Sequence, residues 1–109
     1  MKDPLLNVEG IYCASINAGI KNNDDLDLSV ISLTKGSVTA AVFTQNIFCA
    51  APVLVAKNHL QNFPRALLIN SGNANAGTGK EGIVNTLGSC KVLANELDIK
   101  AEEVLPFST

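Results

Sequence analysis

Charge is scarce in this sequence. Asp, Glu, Lys and Arg make up 17% of its 109 residues, below the roughly 25% of a typical globular domain. A shortfall of polar surface implies that part of the surface is covered by further protein. The formal net charge is −2, and the eight Lys and Arg residues are spread thinly along the chain. Without a basic cluster there is no electrostatic footprint for nucleic acid. No apolar run approaches the roughly 20 residues needed to cross a bilayer, so no membrane is expected as a partner. The N-terminal MKDPLLNVEG carries an early Asp and Pro and no long apolar core. It resembles neither a secretory signal nor an Arg-rich transit peptide, and the expected location is cytoplasmic.

Cysteine and histidine are equally sparse. Cys13, Cys49 and Cys90 are odd in number and widely spaced, which gives neither a disulfide framework nor a metal-ligand pattern. Three reduced and mostly buried thiols are expected. His59 is the single histidine and has no acidic or Cys partner at ligand spacing. It reads as a surface or helix-end residue. No metal and no cofactor is expected. Repeats and low-complexity segments are absent.

What remains is a globular composition, 47% hydrophobic, sized for one domain or part of one. A short first strand is expected within Asn7 to Asn17. Asn22 to Asp25 is an Asx-rich turn. Leu26 to Leu33 (LDLSVISL) alternates partially and is rich in β-branched residues, so it reads as a strand. Lys35-Gly36 is the next turn. Val38 to Thr44 (VTAAVFT) reads as a further strand, in a hairpin with LDLSVISL. Pro52 opens a third apolar run, PVLVA, also read as a strand, since Pro is tolerated at a strand's first residue. Lys57 to Phe63 suits a single helical turn, broken at Pro64-Arg65. Ala66 to Asn70 (ALLIN) has no alternation, the pattern of a strand buried on both faces.

The clearest element is a helix over Thr78 to Leu97. Thr78-Gly79-Lys80-Glu81 fits a T-x-x-E capping box. Ile83, Leu87, Cys90, Ala94 and Leu97 then fall on one helical face, with Asn85, Ser89, Lys91, Asn95 and Glu96 on the polar side. VLPF ends the chain's apolar pieces as a short strand. Strands followed by one long helix and a last strand indicate an α+β layer or part of a larger sandwich.

Between ALLIN and the helix lies NSGNANAGT, with no side chain larger than Asn. A Walker A loop needs G-x-x-x-x-G-K-[ST]. Gly79-Lys80 matches "GK", but Ala74 stands at the first Gly and Glu81 at the hydroxyl residue, where a carboxylate repels phosphate. Gly77-Thr78-Gly79-Lys80-Glu81-Gly82 spells G-x-G-x-x-G. That mechanism needs the first Gly straight after the strand, and six residues intervene. A small nucleotide-binding module using these six positions remains the alternative. The third reading is a loop packed backbone against backbone, with Gly, Ala and Ser allowing close approach and Asn satisfying buried amides.

INSGNANAGTG, followed by a helix and VLPFST, resembles the N-terminal part of the ornithine acetyltransferase family, the glutamate N-acetyltransferases of arginine biosynthesis often called ArgJ. ASINAGIKNNDDLDLSVIS resembles the family's opening AGIK…DLAL region. AAVFTQNIFCAAPVLVAKNHL resembles its VFT-N and AAPV segments. The resemblance runs from about Ala14 to Thr109. It implies an α+β fold, the N-terminal part of an ArgJ/DmpA-like α-β-β-α sandwich, with residues 1–109 a partial N-terminal domain of the alpha chain. It implies transfer of an acetyl group from N-acetylornithine to glutamate through an acetyl-threonine, the nucleophile being freed by self-cleavage downstream. It also implies a beta chain of the same precursor as partner, in a heterotetramer of two alpha and two beta chains. Ser108-Thr109 matches the first two letters of the family's S-T-G, which makes Thr109 the oxyanion threonine. The following Gly and the nucleophilic Thr are not among these residues, so residues 1–109 alone are expected to be inactive. Pro106-Phe107 departs from the family's small aliphatic residues before S-T-G.

Overall fold

The computed structural model describes residues 8–21, 24–46, 49–71 and 79–109. Four strands, β1 (Ile11–Ile16), β2 (Leu28–Leu33), β3 (Ala66–Asn70) and β4 (Val104–Ser108), form one sheet in the order β1-β2-β3-β4. β1, β2 and β3 pair antiparallel, whereas β3 and β4 are parallel. Parallel neighbours need a long crossover, and it is made by helix α2 (Gly79–Leu97). A second helix, α1 (Ala51–His59), precedes β3. The fold class is α+β.

The core lies between sheet and helices. Val55 of α1, Cys90 and Ala94 of α2, Ala66 and Leu68 of β3 and Val104 of β4 form one buried cluster, with Leu28 and Val30 of β2 packed against it. The strand register aligns Leu28, Asn70 and Ser108, then Val30, Leu68 and Pro106, across three strands. Leu67 and Ile69, which point to the opposite face, are only half-buried. β3 is therefore central in the sheet but covered on one face, not on both as its apolar run suggested.

Two expected elements differ. Pro52 to Ala56 is helical, not a strand. Proline in a helix's first turn loses no hydrogen bond, because that N–H has no intrahelical partner. The buried residues Ala51, Pro52, Val55, Ala56 and His59 follow a helical stripe, and the helical turn expected at Lys57 to Phe63 is the end of α1 plus a short turn at Leu60–Asn62. Val38 to Thr44 makes no hairpin with β2. Both edges of β2 are already taken, by β1 and β3, so residues 37–46 run without regular structure.

Helix α2 forms as expected, with a shifted buried stripe. Gly82, Thr86, Cys90 and Ala94 are buried, while Leu87 and Leu97 are 41% and 37% exposed. Small side chains let the helix approach the sheet, and Thr86 Oγ donates to the Gly82 carbonyl at 2.8 Å instead of staying unpaired. Thr78 and the capping box built on it lie outside the described residues. So do Gly77 and the small-residue loop at 72–78, while Gly79 to Gly82 are already the first turn of α2.

Of the cysteines, Cys90 is buried, Cys49 half-buried and Cys13 exposed; the expectation of mostly buried thiols holds for Cys90 alone. Burial pushes the Cys90 thiol up to about 11. His59 ends α1 as expected, but it is buried, at 4% exposure. Its Nδ1 lies 2.8 Å from the Val104 carbonyl oxygen. A carbonyl only accepts, so Nδ1 carries the proton. Arg65 N–H donates to the Glu103 carbonyl and Thr109 N–H to that of Asn70, so odd-numbered peptide groups of β4 face β3 and even-numbered ones face outward. His59 thus caps the outer edge of β4. Pro106 falls at an outward position, where its missing N–H costs no ladder bond. That is why β4 runs unbroken through Pro106-Phe107.

Candidate functional site

One end of the sheet gathers the candidate residues. β1 ends there at Ile16, β2 begins there at Leu28, and the parallel strands β3 and β4 end there at Asn70 and Ser108. In sheets with parallel strands, ligands bind beyond the carboxyl ends. Thr109 follows β4 directly. Its N–H donates to the Asn70 carbonyl at 2.9 Å, which continues the ladder one step past the strand and leaves the residue exposed.

The rim around Thr109 is tied together by main-chain bonds. Ser71 N–H donates to the Asp27 carbonyl at 2.9 Å, and Asp27 N–H donates to the Ile16 carbonyl at 3.1 Å. The Asp27 side chain extends this tie. It is 2% exposed. Oδ1 accepts the Ala18 N–H at 2.6 Å, and Oδ2 accepts those of Ile20 at 2.6 Å and Lys21 at 3.2 Å. The Ala18 amide, aided by those of Lys21 and Ile20, holds the carboxyl below its ordinary value of 3.8 against the opposing effect of burial. Gly19 turns this loop at φ +82° with open space around it, a backbone that favours glycine. Its N–H is taken by Asn17 Oδ1 at 2.9 Å.

The sequence alone does not mark Asp27. It sits inside LDLSVISL, where it looks like one polar position of an alternating strand. The signal was available: a carboxylate at the start of a strand, just after a Gly-containing turn, is placed to collect that turn's free N–H groups.

Two concavities border the site. A cavity of about 250 Å³ lies between residues 41–44, the first turns of α1 and Pro106 to Ser108. A broad groove of about 840 Å³ runs between α2 and the β2–β3 surface, with Ile20 and Asn70 on its walls. Asn70 Oδ1 is buried with no hydrogen-bond partner among the described residues. Also among the described residues, no group of three or more His, Cys, Asp or Glu is placed to hold a metal ion, and no helix is long and apolar enough to cross a membrane.

Comparison with known proteins bears on this site. Residues 12–109 match the model of the ArgJ family. The chain is 49% identical over 105 residues to the arginine biosynthesis bifunctional protein ArgJ of Methylococcus capsulatus, covering 96% of this chain and 26% of that protein. It is 46% identical over 109 residues to the protein of the same name from Neisseria meningitidis, covering 98% and 27%. Among solved structures, ornithine acetyltransferase from Mycobacterium tuberculosis, complexed with ornithine, superposes with a TM-score of 0.88 at 33% identity, over 95% of this chain and 58% of that one. The arginine biosynthesis bifunctional protein of Bacillus halodurans gives 0.86 at 32% identity, over 93% and 53%. The chain thus spans about a quarter of the length of the curated relatives it matches. With the family model matched across nearly all of its strands and helices, this chain belongs to the ArgJ family.

Proposed function

We propose that residues 1–109 are the partial N-terminal domain of the alpha chain of an acetyltransferase that moves an acetyl group from N-acetylornithine to glutamate. The reaction passes through an acetyl-threonine on a nucleophile released by self-cleavage downstream, and residues 1–109 alone are inactive. The partner is the beta chain of the same precursor, in a heterotetramer of two alpha and two beta chains, in the cytoplasm. Relatives with an arginine-biosynthesis name over the whole matched length support this reading, as does a solved relative holding ornithine.

In this reaction the threonine at the new chain start attacks the acetyl carbonyl, its own α-amino group taking the proton, since that amine titrates near neutral pH. The tetrahedral intermediate carries an oxyanion that needs donors already in place. Thr109 is the hydroxyl donor. The observation that carries this role is its position: it directly follows β4, an edge strand paired parallel to β3, and its N–H is spent on Asn70, which holds the main chain and leaves the hydroxyl for the substrate.

The test is Thr109→Ala in a polypeptide that joins residues 1–109 to the remaining sequence of the Methylococcus capsulatus relative. Loss of one oxyanion donor lowers kcat about 10²–10³-fold, with little change in KM because the donor acts on the transition state. A variant that folds, self-cleaves and keeps the parent kcat excludes the role.

A further inference from the structure

We infer that residues 38–44 are a strand awaiting its partner, and that the partner is an extended segment of the polypeptide that the longer relatives carry beyond the matched region. This rests on the reading of residues 1–109 as part of such a polypeptide.

The segment is built for a sheet. Val38, Thr39, Val42 and Thr44 are β-branched and Phe43 is aromatic, the residues enriched in strands. Its even-numbered residues are all exposed; on the odd-numbered side Ala41 is exposed as well. Thr39 and Phe43 are half-buried, while Val38 and Val42 are 85% and 98% exposed. Thr39 and Phe43 lie against the molecule, and the even-numbered face is bare. Lys57 of α1 anchors it, with Nζ donating to the Thr44 carbonyl at 3.3 Å and lying 5.9 Å from the centre of the Phe43 ring. Yet among the described residues the peptide groups of residues 38–43 make no hydrogen bond. An unpaired row of N–H and C=O groups is the template for adding a strand.

The sequence lacks the usual protection of such an edge. Natural edge strands carry charge, Lys above all. Here no charged residue occurs between Lys35 and Lys57. Recognition therefore relies on main-chain pairing and apolar contact. The bare face presents Val38 and Val42, so the incoming strand offers apolar residues at alternate positions.

Length and position select the occupant. The relatives are nearly four times longer than the region this chain covers, given its 26% share of one of them. The cavity of about 250 Å³ beside Ala41 and Phe43 is lined on its far side by Phe107 and Ser108. Chain continuing past Thr109 emerges next to this segment.

The test is amide hydrogen exchange on the joined polypeptide described above, with peptides covering 38–44 compared with peptides covering β3. Alternate amides of 38–44 are expected to exchange at least about 100-fold more slowly than an unstructured peptide, as paired strands do. Val42→Asp removes this protection and Val42→Thr keeps it. Exchange at the unstructured rate while β3 is protected overturns the inference. So does protection that appears only as protein concentration rises, which assigns the strand to a second copy. If Val42→Asp does not fold, the wild-type comparison decides by itself. Acetyl transfer measured on the same sample separates the two readings. Transfer with an unprotected segment overturns the strand pairing alone. A protected segment without transfer supports the pairing and removes the proposed function.

Discussion

Replacing His59 with Leu removes the hydrogen-bond donor on the outer edge of β4 while keeping an apolar side chain of similar bulk. The ring is 4% exposed, and its Nδ1–H is 2.8 Å from the Val104 carbonyl oxygen. The other group near that oxygen is the Cys90 thiol, with Sγ at 3.9 Å, and a thiol is a weak donor. His59→Leu therefore strands a buried carbonyl, which costs about 1–3 kcal/mol. For a unit of this size the melting temperature falls by roughly 4–24 °C, at about 4–8 °C per kcal/mol. Urea unfolding followed by circular dichroism reads the change as a lower midpoint with an unchanged slope. His59→Asn separates the hydrogen bond from ring packing, because its amide nitrogen reaches about where Nδ1 was. Its midpoint is expected between those of wild type and His59→Leu. If His59→Leu stays within about 0.5 kcal/mol of wild type, the range of an ordinary surface change, then His59 does not cap β4.

Two further outcomes follow from the buried groups. Asp27 has a carboxyl held below 3.8, so the stability it adds is complete above the unfolded value and fades as pH falls through the lower folded value. Asp27→Asn should be less stable than wild type near neutral pH, and the gap should close as pH falls below about 4; a gap independent of pH refutes the assignment. Cys13 should react with a thiol reagent at pH 8 in the native state, whereas Cys90, buried and pushed up to about 11, holds only about one thiolate in a thousand at that pH. Mass spectrometry that finds Cys90 modified before Cys13 contradicts this packing.

Much of the architecture was legible because it is local. β1, β2, β3, α2 and β4 each carry a period or a run that one segment writes by itself. The α+β class followed from their order. The two misread segments share a cause. PVLVA and VTAAVFT are short apolar runs, and such runs fit a strand or a helix equally well until their surroundings are known. PVLVA became helical because its stripe Ala51, Pro52, Val55, Ala56 and His59 is buried. VTAAVFT lost its expected partner because β1 and β3 occupy both edges of β2.

The candidate site divides in the same way. Thr109 was visible in the sequence only through resemblance to a family; no periodicity marks a threonine at a strand's end. Asp27 was hidden because a carboxylate in an alternating run looks solvent-facing, and only the folded loop aims the N–H groups of Ala18, Ile20 and Lys21 at it. The buried stripe of α2 fell on Gly82 and Thr86, which a count of apolar residues passes over. By itself the sequence determined the type and place of β1, β2, β3, α2 and β4, since backbone preference and side-chain period act over a few residues. Tertiary structure alone decided which strand edges are filled, which small residues meet the sheet and which carboxylate is buried, because each depends on groups far apart in the chain brought within hydrogen-bond or van der Waals reach.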